Sequence, residues 1–414
     1  MLKAGGFRHP LHTGFSHLWV ASPQLSFCCF WSLDFTSKLN RGRVGETNMR
    51  WLEQRARARL GEVVLGLELD TVESTDVLAS LFTARGSDRT RTVCILHACW
   101  AKLPGFRTGF ARAAWLTQAI DHGSVPRVLE SGLTDDGMPL VVLEHVGGET
   151  LDRYLERRAG TVPPSEALRI VAALADGLAA IAEQGAVHGA VCPASIALTE
   201  QGAPRLLQAG WTLLREQAAL HLGCSVIPGL AGYLSPNQAT GERPECRDDV
   251  WSLGAVLFEL LSGLPLRPGE TDIDRLTLAR DMPAPSLAAR VPGAPDEIVA
   301  LVDRILAPDA RERLDSASEV ATKCRQLLQL PKIAKLRRLS PREAAPESPR
   351  RSPQRSAVSA PSHSGVAPLS LPPDSATGTL AYRPSRALLA HPDAGTYSSR
   401  GAEQRIDTIY PKKH

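Results

Sequence analysis

The run SLGAVLFELLSGLPL, beginning at Ser252, is largely apolar and carries no charge except Glu259. At 15 residues it is too short to cross a bilayer, which takes about 20 apolar residues, so it predicts a helix buried in a globular core. A second helix pattern follows Pro163 and Pro164, from Ser165 to about Gln184, with Leu168, Val171, Ala172, Ala175, Leu178 and Ile181 on one face. Before both, residues 60 to 145 hold short β-type runs, TVCILHA and PLVVLEHV among them, around one helical stretch, GFARAAWLTQAI. A strand-rich small lobe feeding a helix-rich large lobe is an α+β arrangement. By itself it names no function.

The ends differ from this folded region. Residues 1–48 predict a poorly structured extension. LWVASPQLSFCCFWSLDF follows Lys3 and Arg8 as a secretory signal would, but Pro23 and Gln24 break it and it lacks a clear cleavage site. Met49 opens the first helix-like run. Residues 331–414 carry 12 of the 31 prolines, with much Ser, Ala and Arg, a composition that cannot offset its ordering entropy and predicts a disordered tail. RRLSP around Ser340 and RRSP around Ser352 look like targets for a kinase that prefers Arg before its substrate.

Charge narrows the partners. The net charge is only +3, from 47 basic and 44 acidic residues, so nothing draws the whole chain to nucleic acid or membrane. The basic segment from Pro331 is read as a solvated linker, and no transmembrane segment is expected. Eight scattered cysteines form no C-x-x-C pair and no zinc spacing, which predicts a reducing, cytoplasmic setting with neither disulfide nor metal.

The motifs then carry a resemblance. VHGAVCPASIALTEQGAPRLLQAG, GLAGYLSPNQATGERPECRDDVWSLGAVLFELLSG, LAPDARERLDSASEV, and the pair DHGSVPRVLESG and PLVVLEHVGGETLDRYL stand in the order of the bacterial eukaryotic-type Ser/Thr protein kinases. Over about residues 60 to 328 the chain resembles that family. The resemblance implies a bilobal kinase-like fold, with a small lobe at 49–145 and a large lobe at 146–330.

Position by position, the chemistry is missing. The lysine that holds the phosphates falls on Leu96 and its helical Glu partner on Ala113. The catalytic-loop Asp falls on Ala190, its Lys neighbour on Cys192, the metal-binding Asn on Ser195, and the magnesium Asp on Gln208. Glu144 and Val146 fall in the segment that joins the lobes and complete a vestigial cleft. The glycine loop is replaced by LELDTVESTDVLAS, whose Glu68, Asp70, Glu73 and Asp76 are expected to repel a triphosphate. Between Met49 and Thr322 the only lysine is Lys102, in the loop before the helix.

What survives is structural. His188 is read as a core histidine rather than a base, Asp249, Trp251 and Gly254 as anchors on the central helix, and Arg313 as a buried cation whose usual Glu partner is replaced by Asn237. The resulting expectation is a pseudokinase, a regulatory or scaffolding module that binds another protein, an active kinase being a candidate, with no nucleic acid and no cofactor. The alternative is a weakly active or non-standard ATP-dependent Ser/Thr kinase that uses ATP and magnesium. Kinase-like folds with other nucleotide chemistry would need a compensating carboxylate and cation, and the sequence displays no obvious set.

Overall fold

The computed structural model describes residues 46–334 apart from 159 and 223–228, together with 336 and 339. Helix α1 (Glu46–Arg57) begins three residues before the run expected at Met49. After it come β1 (Val63–Val64), β2 (Leu67–Thr75), β3 (Ala79–Arg85), β4 (Thr90–Leu96), α2 (Ala98–Ala101), α3 (Phe106–Gln118), β5 (Val128–Leu133) and β6 (Pro139–Glu144). The strands form one antiparallel sheet in the order β1-β2-β3-β4-β6-β5. Side chains alternate across it. Leu81 and Cys94 face Phe110 of α3, whereas Phe82 and Ile95 line a hollow with Leu52 of α1.

The large lobe follows as β7 (Glu149–Thr150), α4 (Leu151–Arg158), α5 (Pro164–Glu183), β8 (Ile196–Leu198), β9 (Pro204–Leu206), α6 (Thr212–Leu222) and α7 (Pro236–Ala239), and continues through α8 (Cys246–Ser262), α9 (Asp272–Asp281), α10 (Leu287–Arg290), α11 (Asp296–Ile305), α12 (Ala317–Leu328) and α13 (Pro331–Ala334). This is the kinase fold that the motifs imply, with a β-rich small lobe and a helical large lobe. Helix α8 is the core helix expected from Ser252. Every residue from Asp248 to Ser262 is buried except Glu259, whose carboxylate accepts a 2.7 Å hydrogen bond from the Tyr233 hydroxyl. All six apolar residues named on α5 are buried in the same core.

Gly254 shows why α8 can lie so deep. A Cβ there would collide with Cγ2 of Ile305 and stand 3.1 Å from Ile305 Cβ and Leu306 Cδ2, so α11 approaches only because the side chain is absent.

Described residues beyond position 330 pack on the large lobe. Ile333 in α13 is fully buried, and Thr161 Oγ1 donates to the Leu339 carbonyl at 3.0 Å, because two apolar side chains in this stretch find the large-lobe core. Residues 1–45 and 340–414, with Ser340 and Ser352, lie outside the described residues. Among those described, no helix is long and apolar enough to cross a membrane.

Candidate functional site

The roof of the cleft is the turn between β2 and β3. Asp76 Oδ1 accepts from the backbone N–H groups of Leu78 (2.7 Å) and Ala79 (2.8 Å), a local side-chain turn that replaces glycine flexibility with a fixed cap. Its Oδ2 accepts from Gln208 Nε2 at 2.6 Å. Gln208 Oε1 in turn accepts from Arg215 Nη2 at 2.7 Å, and Arg215 Nη1 donates to the His188 carbonyl at 3.2 Å. A polar chain therefore crosses from the small-lobe roof to the large-lobe loop. Gln208 holds a left-handed backbone, φ 60°, which costs a non-glycine residue about 1–3 kcal/mol. Arg215 is buried, and burial draws its pKa below the ordinary guanidinium value.

Other bonds keep the turn down. His97 Nε2 lies 2.9 Å from the Asp76 carbonyl and Trp100 Nε1 donates to the Val77 carbonyl at 2.6 Å. At the cleft mouth, Glu73 Oε1 accepts from Thr83 Oγ1 (2.7 Å) and Thr92 Oγ1 (3.3 Å) and lies 3.3 Å from His145 Nδ1. Beside Gln208 and against α3, the cavity lined by Leu81, Cys94, Ala114, Val141 and Ala209 is about 30 Å³. That is room for a water or two, against about 300–1,000 Å³ for a ligand pocket.

The residues singled out from the sequence fall as follows. Leu96 is fully buried at the end of β4, opposite Ala79 and on the face of Cys94. Ala113 is buried in α3, and a Cβ on Gly210 would stand 3.0 Å from its carbonyl oxygen, so helix and loop meet closely without an ion pair. Ser195 Oγ lies 2.9 Å from the Ala190 carbonyl and 3.0 Å from that of Cys192, and accepts from Cys192 N at 3.0 Å. Its hydrogen-bonding capacity is spent inside the loop. Ala190 offers only a methyl group, and burial pushes the Cys192 thiol up, away from a reactive thiolate.

Alternation along β6 turns Leu143 inward and the Glu144 side chain outward, where it pairs with Arg205 at 3.2 Å; Val146 is half-buried. One expectation needs correction. Of the four carboxylates in the substituted glycine loop only Glu73 and Asp76 belong to the cleft; Glu68 is exposed and Asp70 pairs with the exposed Arg85.

The residues read as structural are held as follows. Asp249 accepts from the backbone N–H of His188 (2.8 Å) and of Gly189 (2.7 Å). His188 Nε2 lies 2.9 Å from the Leu207 carbonyl. Trp251 is stacked between Arg267 and Arg313, at 5.1 and 4.9 Å from ring centre to guanidinium. Arg313 finds its partners in Asp248 Oδ1 and Asn237 Oδ1, both at 3.4 Å, and in the carbonyls of Ala307 and Pro308.

Sequence reasoning missed the pair that closes the site. Asp76 and Arg215 bring a carboxylate and a cation to the Gln208 position, but both are committed to the closing chain. The spacing of Leu214, Ala218 and Leu222 in α6 was the available signal, since apolar residues four apart mark a helix. Magnesium does not fit the residues present. Asp76 spends both oxygens on N–H donors, its neighbours are an amide and a guanidinium, and among the described residues no three His, Cys, Asp or Glu side chains cluster to hold a metal.

Known proteins bear on this geometry. The protein kinase domain family matches residues 110–329. The serine/threonine-protein kinase PknB of Mycobacterium leprae is 31% identical over 236 residues, covering 56% of this chain and 38% of that protein. The serine/threonine-protein kinase pkn2 of Myxococcus xanthus is 33% identical over 245 residues, covering 56% of this chain and 29% of that protein. The chain thus spans well under half the length of these relatives. The crystal structure of the Mycobacterium tuberculosis PknI kinase domain superposes with a TM-score of 0.50 at 21% identity, over 64% of this chain and 97% of that one, a likeness of fold.

Proposed function

The chain belongs to the protein kinase domain family, among the bacterial Ser/Thr kinases of eukaryotic type, and from that premise we propose that it is a pseudokinase: a cytoplasmic regulatory or scaffolding module that binds another protein of phosphorylation signalling, an active kinase being the candidate. The observation that carries this reading is the chain Asp76–Gln208–Arg215, which occupies the site where phosphates and magnesium would bind. Loss of a general base alone costs about 10²–10⁴ in rate. Here the base, the lysine and the metal ligands are replaced together.

A second reading, a weakly active or non-standard ATP-dependent Ser/Thr kinase, is favoured by the relatives, which are named as kinases, and by the presence of one carboxylate and one buried cation in the cleft. Nucleotide binding separates the two. The full chain is expected to show no magnesium-dependent rise in melting temperature with millimolar ATP and no transfer of label to itself or to generic substrates. A ligand at 100 times its dissociation constant stabilises by about 2.7 kcal/mol, so a clear magnesium-dependent shift would overturn the pseudokinase reading.

A further inference from the structure

Behind the segment that joins the lobes lies a second cavity, about 640 Å³, that shares no lining residue with the closed cleft. Strand alternation explains the separation. Val128, Leu143 and Leu206 point into the cleft, and their neighbours Arg127, Glu144 and Arg205 point out. Four arginines, Arg89, Arg91, Arg127 and Arg205, line it against two carboxylates, Asp121 and Glu144, an excess of two positive charges.

The pairings inside leave that excess available. Arg127 and Asp121 form an exposed pair, with 68% and 85% of their side chains in solvent, worth little against water. Arg91 reaches Asp88 only at 3.7 Å, and Arg89 is exposed and makes no ion pair among the described residues. Arg205 bonds Glu144 and the Gly123 carbonyl, yet its Nε is shut off from water without a partner.

We propose that this cavity is a docking site for a protein segment carrying a phosphorylated Ser or Thr. A phosphate monoester brings about −1.5 to −2 charges and three acceptor oxygens, matching the charge excess and the forked donors of arginine. A continuous polyanion fits worse, because Asp121 and Glu144 would face its backbone and no Phe, Tyr or Trp in the lining offers a stacking surface. The neighbouring strand supplies the rest of the peptide's contacts. β5 is the last strand of its sheet, paired only with β6, and Leu129 on it is 47% exposed at the cavity wall. An extended segment can add to such an edge through its backbone while its phosphate reaches the arginines. The site stands whether or not the cleft admits nucleotide.

The test uses the full chain and a degenerate peptide pool with one fixed central phosphothreonine, beside the same pool with threonine. The phosphorylated pool should bind at least tenfold more tightly at 50 mM salt, and less so at 300 mM. The double variant Arg89→Gln/Arg127→Gln, both residues exposed, should keep the melting temperature and lose at least tenfold in affinity. Equal binding of the two pools, undiminished binding by the double variant, or tighter binding of inorganic phosphate or a single-stranded RNA homopolymer than of the phosphorylated pool would overturn the proposal.

Discussion

Asp76 and Gln208, 132 positions apart in the chain, share a 2.6 Å hydrogen bond that joins the roof of the small lobe to the loop of the large one. The bond has a carboxylate acceptor and a half-buried setting, and Gln208 takes a strained backbone conformation there. A double-mutant cycle on Asp76→Ala and Gln208→Ala, read by thermal or urea unfolding, should give a coupling of about 1–2 kcal/mol. A coupling indistinguishable from zero would mean that the cleft is not latched in solution.

Helix α6 makes a sharper distinction. Leu214 is 1% exposed and belongs to the small-lobe core with Phe110 and Trp211, although it lies in the segment that in a switchable kinase would swing. Leu214→Ala should therefore cost about 2–5 kcal/mol, as for a core leucine. A loss under about 0.5 kcal/mol, the range of surface substitutions, would show that the segment is loosely held.

Acid should act on His188. Burial, with Arg215 close by, pushes its pKa down to about 3 from an ordinary 6.5. Between those values the unfolded chain binds a proton that the folded chain refuses, so this contribution is full above about pH 6.5 and is lost as pH falls towards 3. From pH 7 to 5 the group costs about 2 kcal/mol. Asp249 acts in the opposite sense, since burial pushes its carboxyl up to about 7 and its contribution fades as pH rises from 4 to 7. His188→Gln keeps a donor for the Leu207 carbonyl but cannot titrate there. Because Asp249 offsets His188 in the parent over this window, the variant's change in stability from pH 7 to 5 should be about 2 kcal/mol more favourable than the parent's, and an identical change in the two proteins, measured by urea titration at both pH values, would refute the assignment.

Contact between α8 and α11 can be tested by adding one carbon. Gly254→Ala should cost about 1–3 kcal/mol through overpacking against Ile305. Ile305→Ala in the same chain should restore part of that loss, giving a favourable coupling. Simple additivity of the two substitutions would mean that the helices have room.

How much of this was legible depends on the range of the interaction. α5 and α8 could be read from periodicity, because a buried helix writes its face into spacings of three and four. The anchoring role of Asp249 was suggested by the resemblance, and its carboxylate accepts from the backbone N–H groups of His188 and Gly189. Arg313 was legible as a buried cation, but its partner Asp248 was not, because the resemblance pointed to position 237 while the carboxylate came from the neighbour of Asp249. Asp76 was legible only as a charge. Its role depends on a residue 132 positions away, and no local pattern records that. Helix α6 lies between two of the motifs and was not read, although its apolar residues four apart argued for a helix.

The small-lobe core is finished by residues from far downstream: Trp211, Leu214, Ala218 and Leu222 join Trp100, Phe106 and Phe110 in one cluster. During synthesis, the last strand of the sheet therefore leaves the ribosome roughly 80 residues before the side chains that complete its packing, a wait of several seconds at about 5–20 residues per second. Over that interval the nascent sheet holds an open apolar face, and what shields it is a matter for the chaperones the chain meets on its way out.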